Sequence, residues 1–151
     1  MNHISPLLTA DTILLDLGFT SKKDLFQHAG DVFSQQHKLK SNDVFNSLFE
    51  RERLGSTALG YGIAIPHGRI KGLSHAAGVL YRLQTPLEFD APDRQPVTLC
   101  FILLVPKEAN EEHLQILGEL AQLFGDEAMR SHMLRAQSPT ELHALIHTWA
   151  A

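Results

Sequence analysis

From Val97 to Val105 the chain runs nine residues without a charge, and Thr98 is the one polar interruption. A strand with one face in water alternates apolar and polar side chains. A run without alternation has both faces covered. This one is far short of the roughly 20 apolar residues of a membrane helix, and Pro106 ends it. It predicts a central strand, and a central strand needs helices above and below. The flanking segments supply them. Ser21-Lys22-Lys23-Asp24 is a capping box in its Asp form, ahead of the stripe Leu25, Phe26, Ala29, Val32 and Phe33. Ser41 is placed to cap a second helix with Val44, Phe45, Leu48 and Phe49 on one face, stopping at Gly55. Asn110 is expected to cap a third, with stripe His113, Ile116, Leu117, Leu120 and Phe124. Asp126 opens a short helix, and Ser138-Pro139-Thr140-Glu141 starts the last one. Thr12 to Leu17 and Ala76 to Leu83 read as strands, and Gly55 to Gly68 as loop plus one short strand. The order is strand, two helices, three strands, three helices, which implies an α/β chain in three layers, α/β/α.

Length and composition bound the function. A chain of 151 residues with 44% hydrophobic and 20% charged residues is expected to form one domain over 1–151, without staples. A net charge of −4 argues against a broad basic face for nucleic acid. The amino terminus lacks the layout of a signal peptide, and no stretch suits membrane insertion, so a cytoplasmic location is expected. Cys100 is the one cysteine and lies in the apolar run, which reads as a buried thiol.

Nine histidines need sorting. His3, His28, His37, His75 and His132 read as solvated side chains. His143 and His147 have the i, i+4 spacing of a metal pair, but a zinc site needs three or four ligands and no His-Glu-x-x-His motif exists. No metal or cofactor is required by anything visible. His67 differs. Pro66 stiffens the chain before it, and Gly68 leaves room after it. That frame presents an imidazole at a strand end, as a nucleophile requires. His113 lies near the third position of its helix on the apolar stripe, so it points toward the core or a cleft; a ligand-holding role and a packed, satisfied histidine are both open. Arg51 leans to the buried face of its helix, and Ser56 and Thr57 offer hydroxyls. A nucleophilic histidine, a second histidine, a guanidinium and two hydroxyls would together suit a transferable phosphoryl group. A Gly-x-x-x-x-Gly-Lys loop for ATP is absent. Ile63, Ile65 and Ile70 are candidates for an apolar ring that docks a partner protein.

The run Arg51-Glu52-Arg53-Leu54-Gly55-Ser56-Thr57, followed by Gly60-Tyr61-Gly62-Ile63-Ala64-Ile65-Pro66-His67-Gly68, resembles the active-site signature of enzyme IIA of the bacterial phosphoenolpyruvate-dependent phosphotransferase system, mannitol/fructose class. Its wording is most similar to the nitrogen-regulatory branch. Leu103-Leu104-Val105-Pro106 with His113-Leu114 resembles the second signature. The resemblance implies a mixed β-sheet flanked by helices. It implies that His67 is phosphorylated through Nε2 by an HPr-like carrier protein, with His113 and Arg51 beside the phosphoryl group and Ser56, Thr57 and Gly68 as its neighbours. It also implies a phosphocarrier that controls other proteins by its phosphorylation state, potassium-transport regulators among them. Delivery to a separate sugar-specific IIB, or a binding module that is never phosphorylated, are the other readings. Tyr61 departs from the branch, where a small polar residue is commoner.

Overall fold

A computed structural model describes residues 2–108 and 111–150 of the chain. Its elements in order are β1 (Ile13–Leu17), α1 (Lys22–His37), α2 (Ser41–Arg53), β2 (Ala58–Gly60), β3 (Ile63–Ala64), β4 (His67–Ile70), β5 (Ala77–Leu87), β6 (Val97–Pro106), α3 (Glu111–Gly125), α4 (Glu127–Arg135) and α5 (Pro139–Thr148). Among the described residues, six strands form one mixed sheet in the order β1-β5-β6-β3-β2, with β4 also paired to β6. β1 runs parallel to β5, β5 antiparallel to β6, and β3 and β4 both parallel to β6 on its free side.

β6 is the central strand that its sequence demands. Leu99, Phe101, Leu103 and Val105 pack on one side with Ile116, Leu120 and Phe124 of α3. Cys100, Ile102 and Leu104 pack on the other with Phe26 and Phe33 of α1 and Leu48 of α2. Successive side chains of a strand point to opposite faces, so an unbroken apolar run feeds two cores at once. Three layers follow, with α1 and α2 on one face and α3, α4 and α5 on the other. Burial holds the Cys100 thiol well above its ordinary pKa, so it stays protonated and inert.

Several caps form as expected. The Ser21 hydroxyl accepts from Asp24 N, Asp126 accepts from Ala128 N and Met129 N, and Ser138 accepts from Glu141 N. Ser41 does not cap. Lys40 holds the N-cap position, and the Ser41 hydroxyl donates to Asp31 Oδ1 of α1 at 2.7 Å, joining the two helices. Asn110 lies outside the described residues. The stretch expected to hold one short strand holds three, β2, β3 and β4, because its glycines permit tight reversals between pieces too short to show a period. At the β2–β3 turn Gly60, Tyr61 and Gly62 all take positive φ. Tyr61 tolerates φ 57° because Asp93 Oδ2 accepts its N–H at 2.8 Å and Arg130 lies over its ring at 4.6 Å.

One histidine reading changes. His28 is half-buried, with its Nδ1 2.8 Å from the hydroxyl of buried Tyr81 and its ring edge-on to Phe19. His143 and His147 serve the amino terminus instead: His143 Nε2 donates to Ser5 O at 3.0 Å, and His147 Nδ1 is 3.3 Å from Ser5 Oγ. Among the described residues no group of three or more His, Cys, Asp or Glu is arranged to hold a metal ion. None of the described helices is long and apolar enough to cross a membrane.

Candidate functional site

β4 exists to hold His67. Pro66 cannot donate, so its carbonyl makes the link, accepting from Leu103 N at 2.9 Å. Parallel pairing then begins at His67 and Leu103. The ring is half-buried, and its Nδ1 lies 3.0 Å from Ile65 O. A carbonyl can only accept, so Nδ1 carries the hydrogen and the lone pair of the neutral ring is on Nε2.

Gly68 is required by close packing. A Cβ there would stand 2.2 Å from Ser47 Oγ and 3.2 Å from the main-chain carbon of Ser47 on α2. Ser47 in turn donates to Arg69 O at 2.7 Å. α2, which carries Arg51, is thereby pressed onto the strand that carries His67. Gly68→Ala is expected to push α2 away by several tenths of an ångström and to cost about 1–3 kcal/mol, as overpacking does. Urea unfolding measures the loss.

A cleft of 680 Å³ opens above His67, and Arg51, Arg69, His113, Leu54 and Leu114 are on its walls. Glu50 and Glu111 add carboxylates, and Gly68 also faces it. Arg51 is half-buried and donates through Nη1 to Gly55 O at 2.9 Å, which leaves most of its guanidinium donors for a ligand. His113 enters from the first turn of α3. The structure thus brings His67, His113 and Arg51, distant in sequence, to one cavity. Arg51, Arg69 and the two histidines share a largely apolar hollow with Glu50 and Glu111, and Glu50 is itself engaged by Arg53 at 3.0 Å, so the guanidiniums are the groups there able to meet an anion.

Other expected site residues lie elsewhere. The Ser56 hydroxyl donates to Phe89 O and accepts from Ala58 N. The Thr57 hydroxyl donates to Glu52 Oε1 at 2.6 Å, and Thr57 N donates to Glu52 Oε2 at 3.1 Å. Neither residue is on the cleft wall. Both are spent on fastening the loop between α2 and β2, because a buried hydroxyl must find a partner. Glu52 is itself buried and takes a further bond from Lys22 Nζ at 2.8 Å. Ile63, Ile65 and Ile70 are 1%, 4% and 7% exposed, so they cannot form a docking ring. Sheet pairing turns Ile63 and Ile65 into the core under α3–α5 and Ile70 into the core under α1–α2. The exposed apolar rim is instead Leu54, 85% exposed, and Leu114, 64% exposed. Arg69 was also missed, although position 69 is two residues past His67 on one strand and so shares its face.

A family model described as the phosphoenolpyruvate-dependent sugar phosphotransferase system, EIIA 2, matches residues 6–149. The chain belongs to that family. Among EIIA 2 relatives, the nitrogen regulatory protein of Klebsiella oxytoca is 40% identical over 95% of this chain and 90% of its own length. That of Bradyrhizobium diazoefficiens is 34% identical over 95% and 94%. The crystal structure of nitrogen regulatory protein IIA-Ntr from Neisseria meningitidis superposes with a TM-score of 0.91, 44% identity, and coverage of 96% of this chain and 99% of that one. The mannitol IIA of Escherichia coli shares the fold, with a TM-score of 0.77 at 22% identity, covering 92% of this chain and 98% of that one. The EIIA 2 fold is the mixed three-layer architecture described above, and the likeness to the nitrogen-regulatory branch extends over nearly the whole chain.

Proposed function

We propose that this EIIA 2 protein is a histidine phosphocarrier of the nitrogen-regulatory type. It takes a phosphoryl group onto His67 Nε2 from an HPr-like carrier and signals to other proteins through the charge it then bears. The observation that carries this reading is the Nδ1–H bond to Ile65 O within the cleft. It selects the tautomer whose free lone pair is on Nε2, and that lone pair attacks phosphorus. The N–P bond to the donor imidazole breaks, and the donor nitrogen departs with the electron pair. If the donor ring is protonated at its other nitrogen, it leaves neutral. His67 then carries Nδ1–H and Nε2–P in one cationic ring, and no proton has to move. The Ile65 carbonyl becomes the acceptor of a charge-assisted hydrogen bond, which is stronger in the product than in the free enzyme.

The remaining work is positioning and charge stabilisation around three equatorial oxygens. Arg51 matches two of them with its planar fork, and Arg69 and His113 approach from the other walls. Arg51→Gln is expected to slow transfer roughly 100-fold, the usual cost of one preorganised donor. Arg51→Lys should recover only part, because an ammonium lacks the fork. Rapid-quench labelling with phosphorylated carrier checks both. The deciding experiment for the function is tandem mass spectrometry after that labelling. One phosphoryl group on residue 67 is expected, and an unmodified residue 67 overturns the reading. A target protein that binds the phosphorylated and unphosphorylated forms equally would overturn the signalling half.

A further inference from the structure

Beyond the cleft, three cations stand together on an acidic protein. Arg69, Lys71 and Lys107 line a second, open hollow with Ile70 and Asp43, and Arg69 belongs to both hollows. Strand pairing builds the group. Ile70 is opposite Pro106, and Lys107 N donates to Ile70 O at 3.0 Å, so Lys71 and Lys107 leave the sheet side by side. All three cations and Asp43 are exposed. None of the three enters an ion pair or side-chain hydrogen bond among the described residues, where the pairs formed are His3–Glu119, Lys22 with Glu52 and Asp90, Arg53–Glu50 and Arg82–Asp16. Glu108, next along the chain, and Asp43 are the nearest opposing charges by sequence and by position in the hollow. A chain with net charge −4 therefore gathers three cations, none of them in an ion pair among the described residues, at one rim of a phosphoacceptor cleft whose walls also carry Glu50 and Glu111.

We infer that Arg69, Lys71 and Lys107 form an electrostatic dock for an acidic surface of the carrier protein that phosphorylates His67. This inference rests on the function proposed above. A protein that delivers a phosphoryl group must sit directly over His67. A standard protein interface covers roughly 800 Å² on each partner, a disc about 16 Å in radius. Lys71 is four residues beyond His67, which along a strand is about 13 Å. The seated carrier therefore covers the patch, and burial of three unpaired cations against a neutral or basic surface would oppose docking. An acidic surface gains from them, and the phosphoryl group it brings is itself an anion drawn to the same rim. Charges at an interface rim act mainly on the association rate and its salt dependence.

The test measures transfer from the phosphorylated histidine carrier at 50 mM and 300 mM salt, beside labelling by phosphoramidate, a small donor that needs no docking. For the wild type, kcat/KM with the carrier should drop about tenfold at the higher salt. The double variant Lys71→Glu/Lys107→Glu should lose at least tenfold at low salt and respond little to salt, while phosphoramidate labels it at the wild-type rate. Lys71→Gln/Lys107→Gln should fall between. Lys23→Glu/Arg135→Glu, with the same change in net charge at exposed positions outside both hollows, should stay within twofold of wild type. A charge-reversed patch that leaves carrier kinetics within twofold of wild type overturns the inference; it would mean that the cations serve nucleic acid or a small anion instead. An equal loss with phosphoramidate also overturns it, since the damage would then lie in the cleft. Failure of phosphoramidate to label wild-type His67 overturns the phosphocarrier reading itself.

Discussion

With glutamine at position 67, no phosphoryl group is expected on the protein at any carrier concentration. The side chain keeps its polarity and approximate length but has no nitrogen lone pair able to attack phosphorus, because the amide delocalises it. The loss should exceed about 1,000-fold, which is the scale on which removing a covalent nucleophile acts. The fold should survive, because His67 is half-buried and makes one hydrogen bond, to Ile65 O. Such a bond is worth about 1 kcal/mol net. Intact mass after labelling and a thermal melt of the same sample separate the two outcomes: an unlabelled protein with a native melt supports the assignment, and a labelled one removes it.

Arg82→Met should give the largest loss of stability. Arg82 is 9% exposed and ties three elements together. Its Nε and Nη2 meet Asp16 of β1 at 3.1 and 2.9 Å. Its Nη1 donates to Met133 O at 3.1 Å, Leu134 O at 3.3 Å and Ala136 O at 2.5 Å. These carbonyls close α4, and the last carbonyls of a helix have no partner within it. Methionine fills the space and leaves them bare. The expected cost is about 3 kcal/mol, mostly from the abandoned carbonyls, since Asp16 stays largely solvated and its share is screened. Denaturant unfolding at neutral pH measures it.

The same pair sets an acid limit. Hydrogen bonding to Arg82 holds the Asp16 carboxyl below its usual range, against an opposing effect of burial and with help from the Arg82 charge. A depressed folded pKa means stability that is fully present above the unfolded value, about 3.9, and is lost as pH falls through the folded one. Wild-type unfolding free energy should therefore acquire a slope below about pH 4 that is shallower in Arg82→Met. Equal slopes in the two proteins would show that Asp16 contributes nothing to the linkage.

Much of this architecture is legible along the chain, and the reasons are local. β6 shows in nine residues that it is covered twice, and α1, α4 and α5 announce their starts through Ser21, Asp126 and Ser138. His67 stands out because proline and glycine around a histidine leave few other structures open. The errors are equally instructive. Ile63, Ile65 and Ile70 look available in a stretch with no period, yet β3, β4 and the link between them turn them into two different cores. Ser56 and Thr57 look like donors to a ligand, yet Phe89 and Glu52, far along the chain or behind it, claim their hydroxyls.

Periodicity, capping residues and the Pro-His-Gly frame depend on neighbours in the chain, so they specify the layers, most helix ends and the histidine proposed to carry the phosphoryl group. Which groups stand around that histidine is another matter. Strand register carries Arg69, Lys71 and Lys107 to one rim. The close approach of Ser47 to Gly68 sets Arg51 over β4, and α3 delivers His113 from across the sheet. Those meetings join residues up to several dozen positions apart, and packing of the two cores, which no local pattern encodes, brings them about.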